Sequence, residues 1–338
     1  MKVCLIPALA ALCALQSPAA ADPITLRFAT AAPDGTAWAR LFRAMGRDIE
    51  ADSKGAVTTK WYFGGIAGSE VETLERLKKN QLDAVMSGGP LCMKLSPSMR
   101  AIRLIGLYES RAEAAYVLGR LRPTIEREIS EAGFHNVGVA MLGPDMLFTR
   151  APITSVAELR KTRLWVWDVD PAMLAQFAAI GVPAAAMGVE RAGRAYEEHQ
   201  IDGFLSVPTA ALAFQWSAAT KDLTQLRLGY LPGCMVVSQR QWDALDVGER
   251  AVINESLAKF LARLEDLGRR QDAELLGGLF ERQGLTHVTI TPAFAAEFLT
   301  LAKVARDSLR DKLLPAELMD RVMKWVGDYR AEHRVPQN

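Results

Sequence analysis

The stretch TRLWVWDVD, residues 162–170, holds the side chains best suited to recognition chemistry. In an extended strand, residues i and i+2 point to the same face. Arg163, Trp165 and Trp167 therefore share one face, and Leu164, Val166 and Asp168 share the other. An indole carries a large apolar surface and a single N–H donor. Two of them on one face make either a buried core or the wall of a binding cleft. Asp168 and Asp170 stand two apart and could hold a hard cation, but two carboxylates are a thin set. Asp170 before Pro171 reads better as the N-cap of a helix.

Catalysis lacks its parts. The chain has no G-x-S-x-G, no H-E-x-x-H and no P-loop, and no G-x-G-x-x-G follows its first strand. His135, His199, His287 and His333 are scattered, and none sits at metal-ligand spacing. The expectation is a binding protein without catalysis, cofactor or metal.

The start of the chain, MKVCLIPALAALCALQSPAAAD, places Lys2 before an apolar run and closes on Ala19 and Ala21. That is the pattern of a secretory signal, residues 1–21, cleaved after Ala21. The run is too short for a stable membrane span. Lys+Arg number 40 against 39 Asp+Glu, a balance that argues against nucleic acid or an anionic membrane as partner. Outside the leader only Cys92 and Cys234 remain. An oxidising compartment permits a disulfide between them, and two buried thiols are the alternative.

The elements that position the tryptophans read as strand, loop, helix in repetition. ITLRFAT (24–30) alternates as a strand, and a helix follows from Thr36. VTTKWYF (57–63) is a second strand, and Ser69 with Glu72 forms a capping box on the next helix. QLDAVMSGG (81–89) is a short buried strand. A second unit opens at MLFTR (146–150), with a capping box at Ser155 and Glu158. It continues through RLWVW, a helix from Pro171 ended by Gly181, a strand from Pro183 to Met187, a polar helix, and the strand IDGFLSV (201–207). After CMVVS (234–238), Asp246 and Glu249 cap a long amphipathic helix reaching about Glu281. THVTI (286–290) is a last strand, and Thr291-Pro292 starts the closing helices. The class is α/β with a mostly parallel sheet. The expected division is lobe 1 over 22–145 with a return segment near 230–240, lobe 2 over 146–229, and a bridging helix, return strand and C-terminal helices over 241–338.

ITLRFATAAPDGTAW, VTTKWYFGGIAGSEVETLERLKKNQLDAV, ITSVAELRKTRLWVW and IGVPAAAMGVERAGRAYEEHQIDGF, in that order, resemble the solute receptors of TRAP transporters, of the dicarboxylate-receptor type. The resemblance implies a two-lobed periplasmic binding protein with a long helix bridging both lobes. It also implies a small-molecule ligand in the interlobe cleft and delivery to TRAP membrane permease subunits. One departure matters. The strand that usually reads like K-I-R-V presents an arginine to the ligand carboxylate. Aligned on AELRKTRLWVW, that position falls on Trp165. Arg163 lies on the same face, but about 6–7 Å away along a strand. W-x-W followed by D-P resembles a branch in which a nonpolar or amphipathic ligand is expected. Some members of that branch work with an added periplasmic helical-repeat protein.

Ligands of open α/β sheets bind at the carboxyl ends of strands. Trp38, Met146, Phe148, Met187, Phe204, Phe214, Trp216 and Tyr230 lie at or near such ends, divided between core and cleft. Gly35, Gly64, Gly65, Gly88 and Gly89 follow strands, where they turn the chain or aim N–H groups at a ligand. The expected ligand set is Trp165, Trp167, Trp38, Gly65, Gly88, Phe148, Met187, Phe204, Ser206, Trp216, Tyr230 and Arg163. An organic acid held by Arg163 or Arg150 is the second reading. A receptor presenting its ligand to a sensor is the third, and an enzyme on the same scaffold the fourth.

Overall fold

The computed structural model describes residues 23–333; the expected leader, residues 1–21, lies outside them. Nine strands form one sheet: β1 Ile24–Thr30, β2 Val57–Tyr62, β3 Ala84–Ser87, β4 Phe134–Thr149, β5 Leu164–Trp167, β6 Ala184–Met187, β7 Gly203–Ser206, β8 Asp222–Ser238 and β9 Thr286–Val288. Their order is β2-β1-β3-β8-β4-β7-β5-β6, with β9 beside β8. Two parallel blocks, β2-β1-β3 and β7-β5-β6, make two lobes. The long strands β4 and β8 run antiparallel to each other and belong to both. The sheet is therefore mixed rather than mostly parallel. β3 and β7 join the central pair antiparallel.

The local signals work as physical chemistry requires. Thr36 caps the helix Ala37–Asp52. Ser69 and Glu72 make both bonds of a capping box on Glu70–Lys78. Asp246 and Glu249 do the same on Val247–Glu274. At Ser155 only half the box forms, because the Glu158 carboxylate turns to Thr154. Gly181 ends Pro171–Ile180 at φ 73°, the left-handed region open to glycine.

The long helix stops being regular earlier than its pattern suggests. Gly277 and Gly278 leave helical geometry, with Gly278 at φ 116°, before a last turn Phe280–Arg282. Its first part buries Ile253, Leu257, Phe260 and Leu264 in the core of the first lobe. Leu275 and Phe280 lie in the core behind β5 and β7. One helix thus seats in both cores, the bridging arrangement expected. A disulfide joins Cys92 to Cys234, both buried, and ties the helix Pro90–Leu95 to β8. Among the described residues, no helix is long and apolar enough to cross a membrane.

Candidate functional site

The carboxyl ends of β1, β3, β5 and β7 converge on a cleft between the lobes. Trp38, Phe42, Met86, Ser87 and Gly88 line it from the first lobe, and Trp165, Trp167, Ser206, Phe214 and Trp216 from the second. Leu142 and Asp145 of β4, Leu231 of β8 and Leu264 of the long helix complete the wall. A second compartment is lined by Gly64, Gly65, Glu70 and Glu190. Trp167, Phe214 and Trp216 line both compartments, so the two are one cleft.

Trp165 and Trp167 do project to one side of β5, their rings 5.7 Å apart. Trp216 lies 4.9 Å from Trp165 and stacks on Phe204 at 4.5 Å. The Trp165 indole donates its only N–H to the carbonyl of Met187 at 3.0 Å. What remains toward the cleft is an apolar face. Trp167 reaches across to the first lobe: a Cβ added to Gly88 would lie 3.6 Å from Trp167 Cη2. That is an ordinary van der Waals distance, so Gly88 and the indole are neighbours across the cleft.

Trp38, Gly65, Gly88, Trp165, Trp167, Ser206 and Trp216 stand on the cleft walls. Five expected residues do not, and each has a physical reason. Phe148 is fully buried, edge-on to Phe280 at 5.6 Å. Phe204 is the layer behind Trp216. The Met187 side chain lies in the same core, although its carbonyl holds Trp165. Tyr230 packs edge-on to Tyr108 at 6.3 Å. Arg163 is exposed before the start of β5, its backbone N–H donating to Asp202. Arg150 is also spent elsewhere, bonded to the Tyr196 carbonyl and lying over that ring at 4.0 Å. Neither arginine therefore reaches the cleft as the organic-acid reading required.

The cation that does line the cleft is Arg103, at the end of the 3-10 turn Pro97–Arg103. Its guanidinium bonds Asp145 with one amino group, and Asp170 with Nε at 3.1 Å and with the other amino group at 2.9 Å. All three side chains are buried. Asp170 is the N-cap foreseen, accepting from Met173 N at 3.0 Å, but its other oxygen holds Arg103. No period or spacing announces a contact between residues 42 and 67 positions apart.

Glu70 opens the helix Glu70–Lys78. Its carboxylate accepts from Ser87 Oγ at 2.7 Å and Leu91 N at 2.6 Å. Burial nevertheless dominates those bonds and pushes it up to about 7. Asp272, buried beside Arg111 at 3.0 Å, is also pushed up to about 7 by desolvation. Both groups keep a proton longer in the folded state than in the unfolded chain. Their stabilising effect is whole below the unfolded value, near 4.5 for Glu70, and is lost as pH rises toward 7. Unfolding free energy should therefore fall from about pH 4.5 to about pH 7. Glu70→Gln should flatten that fall by on the order of 1–3 kcal/mol, read by urea unfolding across the range. An unchanged slope would remove Glu70 as its source.

Among the described residues, no group of three or more His, Cys, Asp or Glu is placed to hold a metal ion. Residues 28–311 match the family described as bacterial extracellular solute-binding protein, family 7. A TRAP periplasmic solute-binding protein from Roseobacter denitrificans with bound L-galactonate is 18% identical, with TM-score 0.80, over 89% of this chain and 98% of that one. A Bordetella pertussis extracytoplasmic solute receptor binding pyroglutamic acid is 16% identical, with TM-score 0.81, over 90% and 99%. A TRAP solute-binding protein from Shewanella oneidensis with bound succinate is 15% identical, with TM-score 0.82, over 90% and 100%. At such identities the likeness is one of fold.

Proposed function

The chain belongs to family 7 of the bacterial extracellular solute-binding proteins, the TRAP solute receptors, and from that premise we propose that its cleft takes an apolar or amphipathic small molecule. The family is one of receptors, not enzymes. The observation that carries the proposal is the state of the polar groups on the wall. Trp165 stands with its N–H spent on Met187, and Arg103 with its charge countered by two aspartates, which take three of its five N–H groups. A desolvated carboxylate without a free cation costs several kcal/mol. The relatives described above hold galactonate, pyroglutamate and succinate, all carboxylates. This cleft offers such a group little.

In this reading residues 1–21 export the chain to the periplasm. Residues 22–145 and 146–229 are the lobes, with their border inside β4 and β8. The loaded receptor hands its solute to membrane permease subunits, and a periplasmic helical-repeat protein is a further partner. Mass spectrometry of small molecules released from protein purified from its native periplasm tests the solute class. An apolar or amphipathic compound supports the reading, and a sugar acid or small dicarboxylate sinks it. Trp167→Ala should weaken the released compound's binding by about tenfold or more, because one aromatic face is lost. Calorimetry checks the affinity. A melting temperature within a few degrees of the parent shows that the half-buried ring is not structural.

A further inference from the structure

The charge of the cleft is opposite to what an anionic solute needs. Among the described residues lining its compartments, Arg103 is the one cation. Against it stand Asp145 and Asp170 in the first, and Glu72 and Glu190 in the second, where Glu70, pushed up to about 7 by burial, carries only part of a charge at neutral pH. Arg103 is bonded to both aspartates, so the ionised triad keeps one negative charge. Asp168, just past β5, adds its field at Glu70.

Aromatic rings make much of the remaining wall: Trp38, Phe42, Trp165, Trp167, Phe214 and Trp216. A ring face is the negative end of its quadrupole, and indole presents the strongest such face. Carboxylates and ring faces are independent sources of negative potential, and here they border the same space. Low-dielectric walls focus such a field. An alkylated ammonium spreads its charge over an apolar shell and needs few hydrogen-bond partners. It suits a wall where Trp165 Nε1 and Ser206 Oγ already donate to backbone carbonyls.

We propose that the solute is cationic: an apolar or amphipathic body bearing an alkylated ammonium, its alkyl groups against the indole faces and the cleft carboxylates supplying the countercharge. This rests on the reading of the cleft as the site of an apolar or amphipathic solute. The test is calorimetric titration of the purified protein with three probes of one shape. They are choline, its uncharged carbon isostere 3,3-dimethylbutan-1-ol, and the anion 3,3-dimethylbutanoate. Choline is expected to bind at least about tenfold more tightly than the alcohol, with the anion weakest. An alcohol that binds as tightly as choline overturns the cationic solute and leaves the apolar cleft standing. Absence of choline binding also overturns the cationic solute, and the alcohol then reports on the apolar cleft separately. An anion that binds most tightly overturns both.

Discussion

Replacing Cys92 and Cys234 together by alanine is expected to lower the free energy of unfolding by about 2–5 kcal/mol. The bond closes a sequence separation of 142 residues, and the entropy removed from an unfolded chain grows with the length of the closed loop. Both cysteines are buried, so reductant added to the native protein should act slowly and only through opening. Urea unfolding of the double variant against the parent reads the loss. Cys234 pairs in register with Ser87, whose neighbour Gly88 faces Trp167, so the bond also braces one wall of the cleft. If it acts only on the unfolded chain, solute affinity should change by less than about threefold. A larger loss would show that it holds the wall in place. A stability change below about 1 kcal/mol would mean that the two segments stay together without it.

What could be read from sequence divides along one physical line. Caps are local: a side chain bonds a backbone N–H three residues on, so Ser69, Asp170, Asp246 and Thr291 could be assigned from neighbours alone. The projection of Trp165 and Trp167 to one side of β5 followed from strand pleating in the same way. The lengths of β4 and β8 did not follow. Register shifts at Asn136/Gly138, Met141/Gly143 and Asp145/Leu147 break the alternation of β4, and much of each strand is buried on both faces. Only their ends, MLFT and CMVVS, looked like strands. The helix Arg111–Glu131, absent from the expected elements, has local signals of its own. Ser110 caps it, and Ala114, Val117, Leu118, Leu121 and Ile125 recur at helical spacing, with Pro123 inside. For the cleft, proximity to a strand end could not separate Trp216, on the wall, from Phe204, one layer behind it. That distinction depends on how helices cover the sheet, which neighbouring residues do not encode.

The Arg103 site was the least legible part, and it carries the other large effect. Arg103→Met is expected to cost about 3–5 kcal/mol, because Asp145 and Asp170 would remain buried without a counter-ion. Arg103→Lys should recover only part, since one ammonium cannot reproduce a planar fork between two carboxylates. The triple change Arg103→Met, Asp145→Leu and Asp170→Asn should recover most of the loss. Methionine and leucine are then matched to an uncharged site, and asparagine can still cap Met173 N. If the triple variant is as unstable as Arg103→Met, packing rather than charge sets the cost. Binding should part company with stability in this series. The triple variant removes the net negative charge of the triad from the cleft, so it should fold well yet hold choline less tightly, by roughly fivefold for a charge several ångströms away at intermediate dielectric. Affinity for 3,3-dimethylbutan-1-ol should stay level. Choline affinity that is unchanged in a well-folded triple variant would show that Asp145 and Asp170 are spent entirely on Arg103, and that any preference for a cation comes from the rings and the second compartment alone.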